Sequence, residues 1–243
     1  MRFIRGILLI LYITVITHSP AVAQGDLFSL YTAGAFEEVV AEVAGKIESG
    51  DATAEEYQLK SMAELQLGRS GEALRTIEEG VRDWPGDQRL ARMRAEQLFG
   101  LGDYPNAREQ YEILVRSDST DVASWIKMAE ISVNRQHFGK AASVLERILR
   151  LDSTNLTSLV MMGEILQRQG DTLAVRFYQR AYEQYPGNQK VAYSLANWYV
   201  QAARPEEAIP VCRQILEVDS ANIRFHKLLG FAYYRLGRAS SSI

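Results

Sequence analysis

With one cysteine, six prolines and three histidines in 243 residues, the chain has little material for covalent or metal-bound architecture. A single thiol excludes an intrachain disulfide and a cysteine-rich zinc site. Six prolines are too few for an all-β protein built from many turns. An excess of either charge is missing too: 27 basic residues stand against 30 acidic ones, a net of −3. That balance lacks the basic surplus of a general nucleic-acid binder. A hydrophobic content of 47% with 23% charged residues excludes a disordered or collagen-like chain. What is left is a compact, mostly helical chain with no evident cofactor.

One long apolar run exists, and it lies at the start. Arg2 and Arg5 precede Ile7 to Ile16, which is interrupted only by Tyr12 and Thr14. His18, Ser19 and Pro20 follow, then the small-residue triplet Ala21-Val22-Ala23 before Gln24. A basic start, a short apolar centre and an A-x-A end describe a secretory signal peptide over residues 1–23. The run is about half the ~20 residues needed to cross a bilayer. The expected product is therefore exported, periplasmic or secreted, with no membrane span after signal removal. Without Arg2 and Arg5 its net charge is −5, 25 basic residues against 30 acidic.

A period of 34 organises the rest. Gly34, Gly68 and Gly102 are 34 apart, and Gly170 follows after twice that step. Ala73, Ala107 and Ala141 keep the same spacing, with Ala174 and Ala208 after steps of 33 and 34. The missing residue lies between Gly170 and Ala174, in a turn, where a deletion is tolerated best.

Each period reads as two helices. Trp125, Met128, Ala129 and Ser132 fall on one helical stripe. Gln136-His137-Phe138 forms a turn, and Ala141, Val144, Leu145, Ile148 and Leu149 mark a second stripe. Asp152-Ser153-Thr154-Asn155 closes the period with residues that favour turns and helix N-caps. Small residues recur in the first helices at Ser61, Ala95, Ala129, Gly163, Ala196 and Gly230, facing Ala73, Ala107, Ala141, Ala174 and Ala208 in the second. Small side chains at a crossing let helix axes approach closely.

This pattern resembles the tetratricopeptide repeat, W-x2-L-G-x2-Y followed by A-x3-F, A and P. The resemblance implies an all-α fold, a right-handed α-solenoid of antiparallel helix pairs. Repeats are expected at 54–87, 88–121, 122–155, 156–188 and 189–222, with a partial repeat over 24–53 and a further one starting at 223–243. Leu229-Gly230-Phe231-Ala232-Tyr233 fits the start of that last repeat. The first full repeats depart from the motif: Lys60 and Arg94 stand at its leucine and Glu64 at its tyrosine. Phe225, Leu228, Leu229, Phe231, Tyr233 and Tyr234 leave the last helix apolar around much of its circumference. A terminal solenoid helix needs a polar outer face, so the expectation is self-association through that helix or a chain that continues.

Residues able to do chemistry are scattered. His18 leaves with the signal, while His137 and His226 lack Cys, Asp or Glu at ligand spacing. Cys212 falls at an apolar motif position and reads as a small buried hydrophobe. Nucleophile-elbow, P-loop and dinucleotide fingerprints are absent, so neither an enzyme nor a bound cofactor is expected. Asn155-Leu156-Thr157 fits a glycosylation sequon but stands where a helix cap is needed. Asp118-Ser119, Asp152-Ser153, Asp171-Thr172 and Asp219-Ser220 look like an O-glycosylation acceptor of some exported bacterial proteins, though capping explains most of them.

In the family resembled, the first helices line a concave groove that takes a peptide or a helix. Mapped onto this chain, one groove position reads Met62, Glu96, Glu130, Glu164, Asn197 and Phe231. The turn before it includes Arg92 and Tyr193, and the turn after it includes Asn134 and Arg168. Arg92, Glu96, Glu130, Asn134, Glu164, Arg168, Tyr193 and Asn197 are thus the candidate ligand residues. The bland alternative is a solvated surface with local Arg92–Glu96 and Glu164–Arg168 pairs. The lysines of a carboxylate clamp are not matched. The expected function is an exported scaffold binding protein or peptide within a cell-envelope assembly. The alternative is a substrate-recruiting or regulatory arm of a larger enzyme or secretion system. RNA binding by helical repeats is disfavoured by the acidic charge and the export signal.

Overall fold

A computed structural model describes residues 27–240 of the chain, with side chains through Gly237. The signal peptide expected over residues 1–23 lies outside the described residues. Thirteen helices and no strand occur among those described. They are α1 (Leu27–Thr32), α2 (Phe36–Ser49), α3 (Ala54–Gln66), α4 (Ser70–Asp83), α5 (Gln88–Gly100), α6 (Tyr104–Ser117) and α7 (Val122–Asn134). There follow α8 (Phe138–Leu151), α9 (Leu156–Arg168), α10 (Ala174–Gln184), α11 (Gln189–Gln201), α12 (Pro205–Val218) and α13 (Ile223–Ser240). Short turns reverse the chain after each helix, so consecutive helices form antiparallel pairs, the construction of an α-solenoid.

The turns show why the sequence breaks where it does. Gly34, Gly68, Gly102 and Gly170 follow a first helix with φ between 72° and 80°, a left-handed conformation that glycine enters without a Cβ penalty. Side-chain oxygens of Thr53, Asp87, Asp121, Asn155 and Asn188 accept backbone N–H groups at the starts of α3, α5, α7, α9 and α11. The Thr53 cap is reciprocal, with Glu56 accepting from the Thr53 N–H.

The described residues fall into two compact units, divided between Gly80 and Val81. In the first, α1 and α3 both contact α2, and Leu27, Val39, Val43 and Ala63 form the core. Motif departures are satisfied here by one another. Lys60 pairs with the buried Glu64 at 2.8 Å, and both hydrogen-bond the Thr76 hydroxyl. At the nearby crossing the Ser61 hydroxyl donates to the Ala73 carbonyl across 3.1 Å.

In the second unit, α5 pairs with α6, α7 with α8, α9 with α10 and α11 with α12, each pair also contacting the next. Ala129, Ala141, Leu145 and Ile148 form the α7–α8 core and are fully buried. At the α9–α10 crossing, a Cβ on Gly163 would stand 2.6 Å from the Tyr178 ring. Only glycine leaves room for that ring. The first helices also touch one another: α7 meets α9, α9 meets α11, and α11 meets α13. The second helices of these pairs approach first helices instead, so within this unit the first-helix face is the tighter, inner one.

Candidate functional site

All eight candidate ligand residues lie on first helices of the second unit. Arg92 and Glu96 stand on α5, Glu130 and Asn134 on α7, Glu164 and Arg168 on α9, and Tyr193 and Asn197 on α11. The stack brings α7, α9 and α11 into contact. No hydrogen bond or ion pair joins any two of the eight.

Arg92 does not pair with Glu96. Its guanidinium reaches Asp121 in two contacts, the shorter 2.7 Å, and donates to the Ser124 hydroxyl at 3.2 Å. Burial acts to raise the Asp121 carboxyl, but hydrogen bonds from Arg92 and from the Ser124 hydroxyl and backbone outweigh it. The group is held below the usual carboxylate range. Arg92 therefore fastens α5 to the start of α7, and its charge is already matched.

Glu130 is also engaged, accepting from Lys127 at 2.8 Å. The Lys127 ammonium lies 4.7 Å from the centre of the Phe99 ring on α5, a cation–π arrangement. Glu96 is exposed and Glu164 half-buried, and neither makes an ion pair or hydrogen bond among the described residues. The Glu164–Arg168 pair is likewise absent. Asn134 donates to the Tyr104 hydroxyl at 3.2 Å. Tyr193 is half-buried, edge-on to Phe225 at 5.9 Å, with the Arg224 guanidinium 4.3 Å over its ring.

Beneath the carboxylates lie two tyrosines of second helices. Burial first, then the negative charges of Glu96 and Glu130, push the Tyr111 phenol upward, and its hydroxyl has no hydrogen-bond partner. Burial and Glu164 do the same to Tyr178, whose hydroxyl donates to Gln167 at 2.9 Å. Both phenols are thereby held in the neutral form at neutral pH.

Asp121 and Lys127 were missed by spacing alone. Lys127 stands three residues before Glu130, a readable helical signal. Asp121 lies 29 residues beyond Arg92, and no local periodicity joins them.

The other reactive candidates are placed plainly. Cys212 is fully buried, and burial pushes its thiol up to about 11. His226 contacts the Ser220 carbonyl at 2.7 Å, and Asn155 caps α9 through the Ser158 N–H. Among the described residues no cluster of His, Cys, Asp or Glu could hold a metal ion. No described helix is long and apolar enough to cross a membrane.

Comparison with known proteins bears on this arrangement. A model described as the Tetratricopeptide repeat protein 21 C-terminal ARM domain matches residues 103–227, just over half of the chain. A tetratricopeptide repeat model matches residues 59–122. Tetratricopeptide repeat protein 21B from Homo sapiens is 28% identical over 136 residues, covering 52% of this chain and 10% of that protein. The chain thus spans about a tenth of that relative's length. Among solved structures, MamA from Desulfovibrio magneticus RS-1 superposes with a TM-score of 0.59 at 19% identity, over 70% of this chain and 97% of that one. YrrB, described as a TPR protein with an unusual peptide-binding site, gives 0.55 at 15% identity over 76% and 96%. These likenesses agree with the helix-pair architecture. The chain belongs to the tetratricopeptide repeat family.

Proposed function

We propose that the chain is an exported scaffold whose first-helix face binds an extended peptide or a helix of another protein, within a cell-envelope assembly. The observation that carries this reading is the row Glu96, Glu130 and Glu164 on successive contacting helices. Among the described residues Glu96, exposed, and Glu164, half-buried, have no ion partner, and unpaired carboxylates on a continuous face suit basic or amide groups of a ligand. Family membership supports protein binding, and the description of YrrB as having a peptide-binding site supports a peptide among the ligands. Export rests on the sequence of residues 1–24, from Arg2 and Arg5 to Ala21-Val22-Ala23 and Gln24.

A second reading, a recruiting or regulatory arm of a larger assembly, is favoured by the match to a small part of a much longer human protein.

One experiment addresses both the address and the face. The full chain is expressed in an exporting bacterium, and the extracytoplasmic form is isolated and weighed. A mass starting at Gln24 is expected. That form retains partners from the same envelope fraction, which are then rebound to a triple Glu96→Lys, Glu130→Lys, Glu164→Lys variant. Affinity at low salt should fall about tenfold or more, equivalent to ~1.4 kcal/mol, with the effect shrinking at high salt. Equal affinity before and after reversal would remove the carboxylate row from the function.

A further inference from the structure

One second helix of the second unit starts late. The helices α6, α8 and α12 begin three residues before the small residue of the crossing: Tyr104 before Ala107, Phe138 before Ala141 and Pro205 before Ala208. Each of them runs 14 residues. By contrast α10 begins at the small residue itself, Ala174, and has 11. The turn ahead of it is the one that is a residue short. There the Asp171 carboxylate accepts from the Leu173 N–H at 2.8 Å, and Leu173 is left outside the helix, 49% exposed.

Beside this start lies a cavity of about 270 Å³ lined by Leu173, Arg176, Phe177 and Arg180. The four residues have the i, i+3, i+4, i+7 spacing of one helical stripe. Arg180 donates to the Ser153 carbonyl in the α8–α9 turn at 2.8 Å, so the stripe faces the preceding helix pair. Phe177 is half-buried and packs against the clusters that contain Leu145 and Leu159. Its ring is therefore fixed, and a fixed wall loses little freedom when a ligand arrives.

Equivalent positions on neighbouring helices are engaged within the chain. The counterpart of Arg180 in α8 is Arg147, whose guanidinium lies 4.5 Å over the Trp125 ring. In α12 it is Gln214, which accepts from the Tyr182 hydroxyl at 2.5 Å. In α10 the cations are left over. Arg176 makes no hydrogen bond or ion pair among the described residues, and Arg180 bonds only the Ser153 carbonyl. The exposed carboxylates Glu146 of α8 and Glu183 of α10 pair with neither. Two guanidiniums one helical turn apart with a ring beside them complement a carboxylate next to an apolar group. The volume falls below the ~300–1,000 Å³ of pockets that enclose a drug-sized ligand, so it suits a side chain or two of a larger partner. We propose that the gap at the start of α10 binds an acidic peptide segment of another protein. Its carboxylate is held by Arg176 and Arg180, and a neighbouring apolar side chain lies on Phe177 and Leu173. This site stands on a second helix and selects the charge opposite to that selected by the carboxylate row.

The test uses the whole chain and a fluorophore-labelled peptide, Gly-Glu-Phe-Glu-Leu-Gly, blocked at both ends. A second peptide has glutamine in place of each glutamate. Saturable binding of the glutamate peptide by fluorescence anisotropy is expected, weakening as salt rises, with the glutamine peptide bound about tenfold or more less tightly. Arg176→Glu should weaken the glutamate peptide by about tenfold or more. Arg176 is exposed and bonds nothing in the chain, so its reversal leaves the packing intact. Leu173→Ser, which keeps both charges and removes the apolar wall, should weaken it about threefold or more. Arg135→Glu, an equally exposed reversal outside the cavity, should change it by less than about twofold. No saturable binding, equal affinity for the two peptides, or binding indifferent to Arg176→Glu overturns the proposal. Equal losses from Arg135→Glu and Arg176→Glu also overturn it, because they would show a diffuse charge effect and no site.

Discussion

Gln136 and Ala203 sit with φ of 59° and 58°, in the left-handed conformation that glycine supplies in the equivalent turns at Gly34, Gly68, Gly102 and Gly170. A side chain in that conformation costs ~1–2 kcal/mol, partly offset by the extra freedom glycine loses on folding. The equivalent glycines have open space around the missing Cβ, so the cost is one of backbone conformation alone. Gln136→Gly and Ala203→Gly should each stabilise the chain by ~0.5–1 kcal/mol, nearly additively for separate turns. Denaturant midpoints of the two single variants and the double check this; a loss of stability would mean their side chains hold the turns. Lys60 and Glu64 illustrate the opposite case. Each departs from the family pattern, yet together with Thr76 they form a satisfied buried set. Removing one partner would leave the other's charge buried, so the departures are stable only jointly.

Helices here are joined by polar clips as well as by their crossings. Asp121 caps α7 through the Ser124 N–H and holds Arg92 of α5, so one carboxylate starts one helix and ties it to another. Its folded value is depressed. The stability it adds is complete above the ordinary carboxylate pKa of ~4 and is lost as pH falls through the lower folded value. Asp121→Ala should cost ~1–2 kcal/mol at pH 7. The difference from the unsubstituted chain should narrow as the pH is taken below the ordinary carboxylate pKa of ~4. Urea unfolding of both proteins at pH 7 and at the lower pH reads the difference directly, and a pH-independent gap would show that packing, not charge, carries the effect. The Arg92 tie also narrows the candidate groove, because this residue's charge is spent inside the stack.

At the scale of the molecule, contacts run mainly between adjacent helices and adjacent pairs, so stability is close to a sum over neighbours. Gly163→Ala should disturb the Tyr178 ring and cost ~1–3 kcal/mol. Amide exchange should then accelerate most in α7 to α11 and least in α2 and α3, which belong to the other compact unit. Uniform acceleration would show instead that the array unfolds as a single cooperative block. Helix pairs, turn glycines, N-caps and small crossing residues were legible in the sequence, because helical periodicity and left-handed turns are local and recur at a fixed step. The identity of the groove-facing positions was legible only through family resemblance. The partners that long side chains meet on other helices were not legible: Arg92 to Asp121, Lys127 to Phe99 and the Lys60–Glu64 pair to Thr76 each depend on which neighbour the tertiary packing brings near. By itself the sequence determined an all-helical repeat of paired helices, since each period carries its own stripes and stops. Only the tertiary structure decided which charges are already matched, which glycine is crushed against a ring and which stands open. Those properties belong to the distances between helices, and no spacing along one chain encodes them.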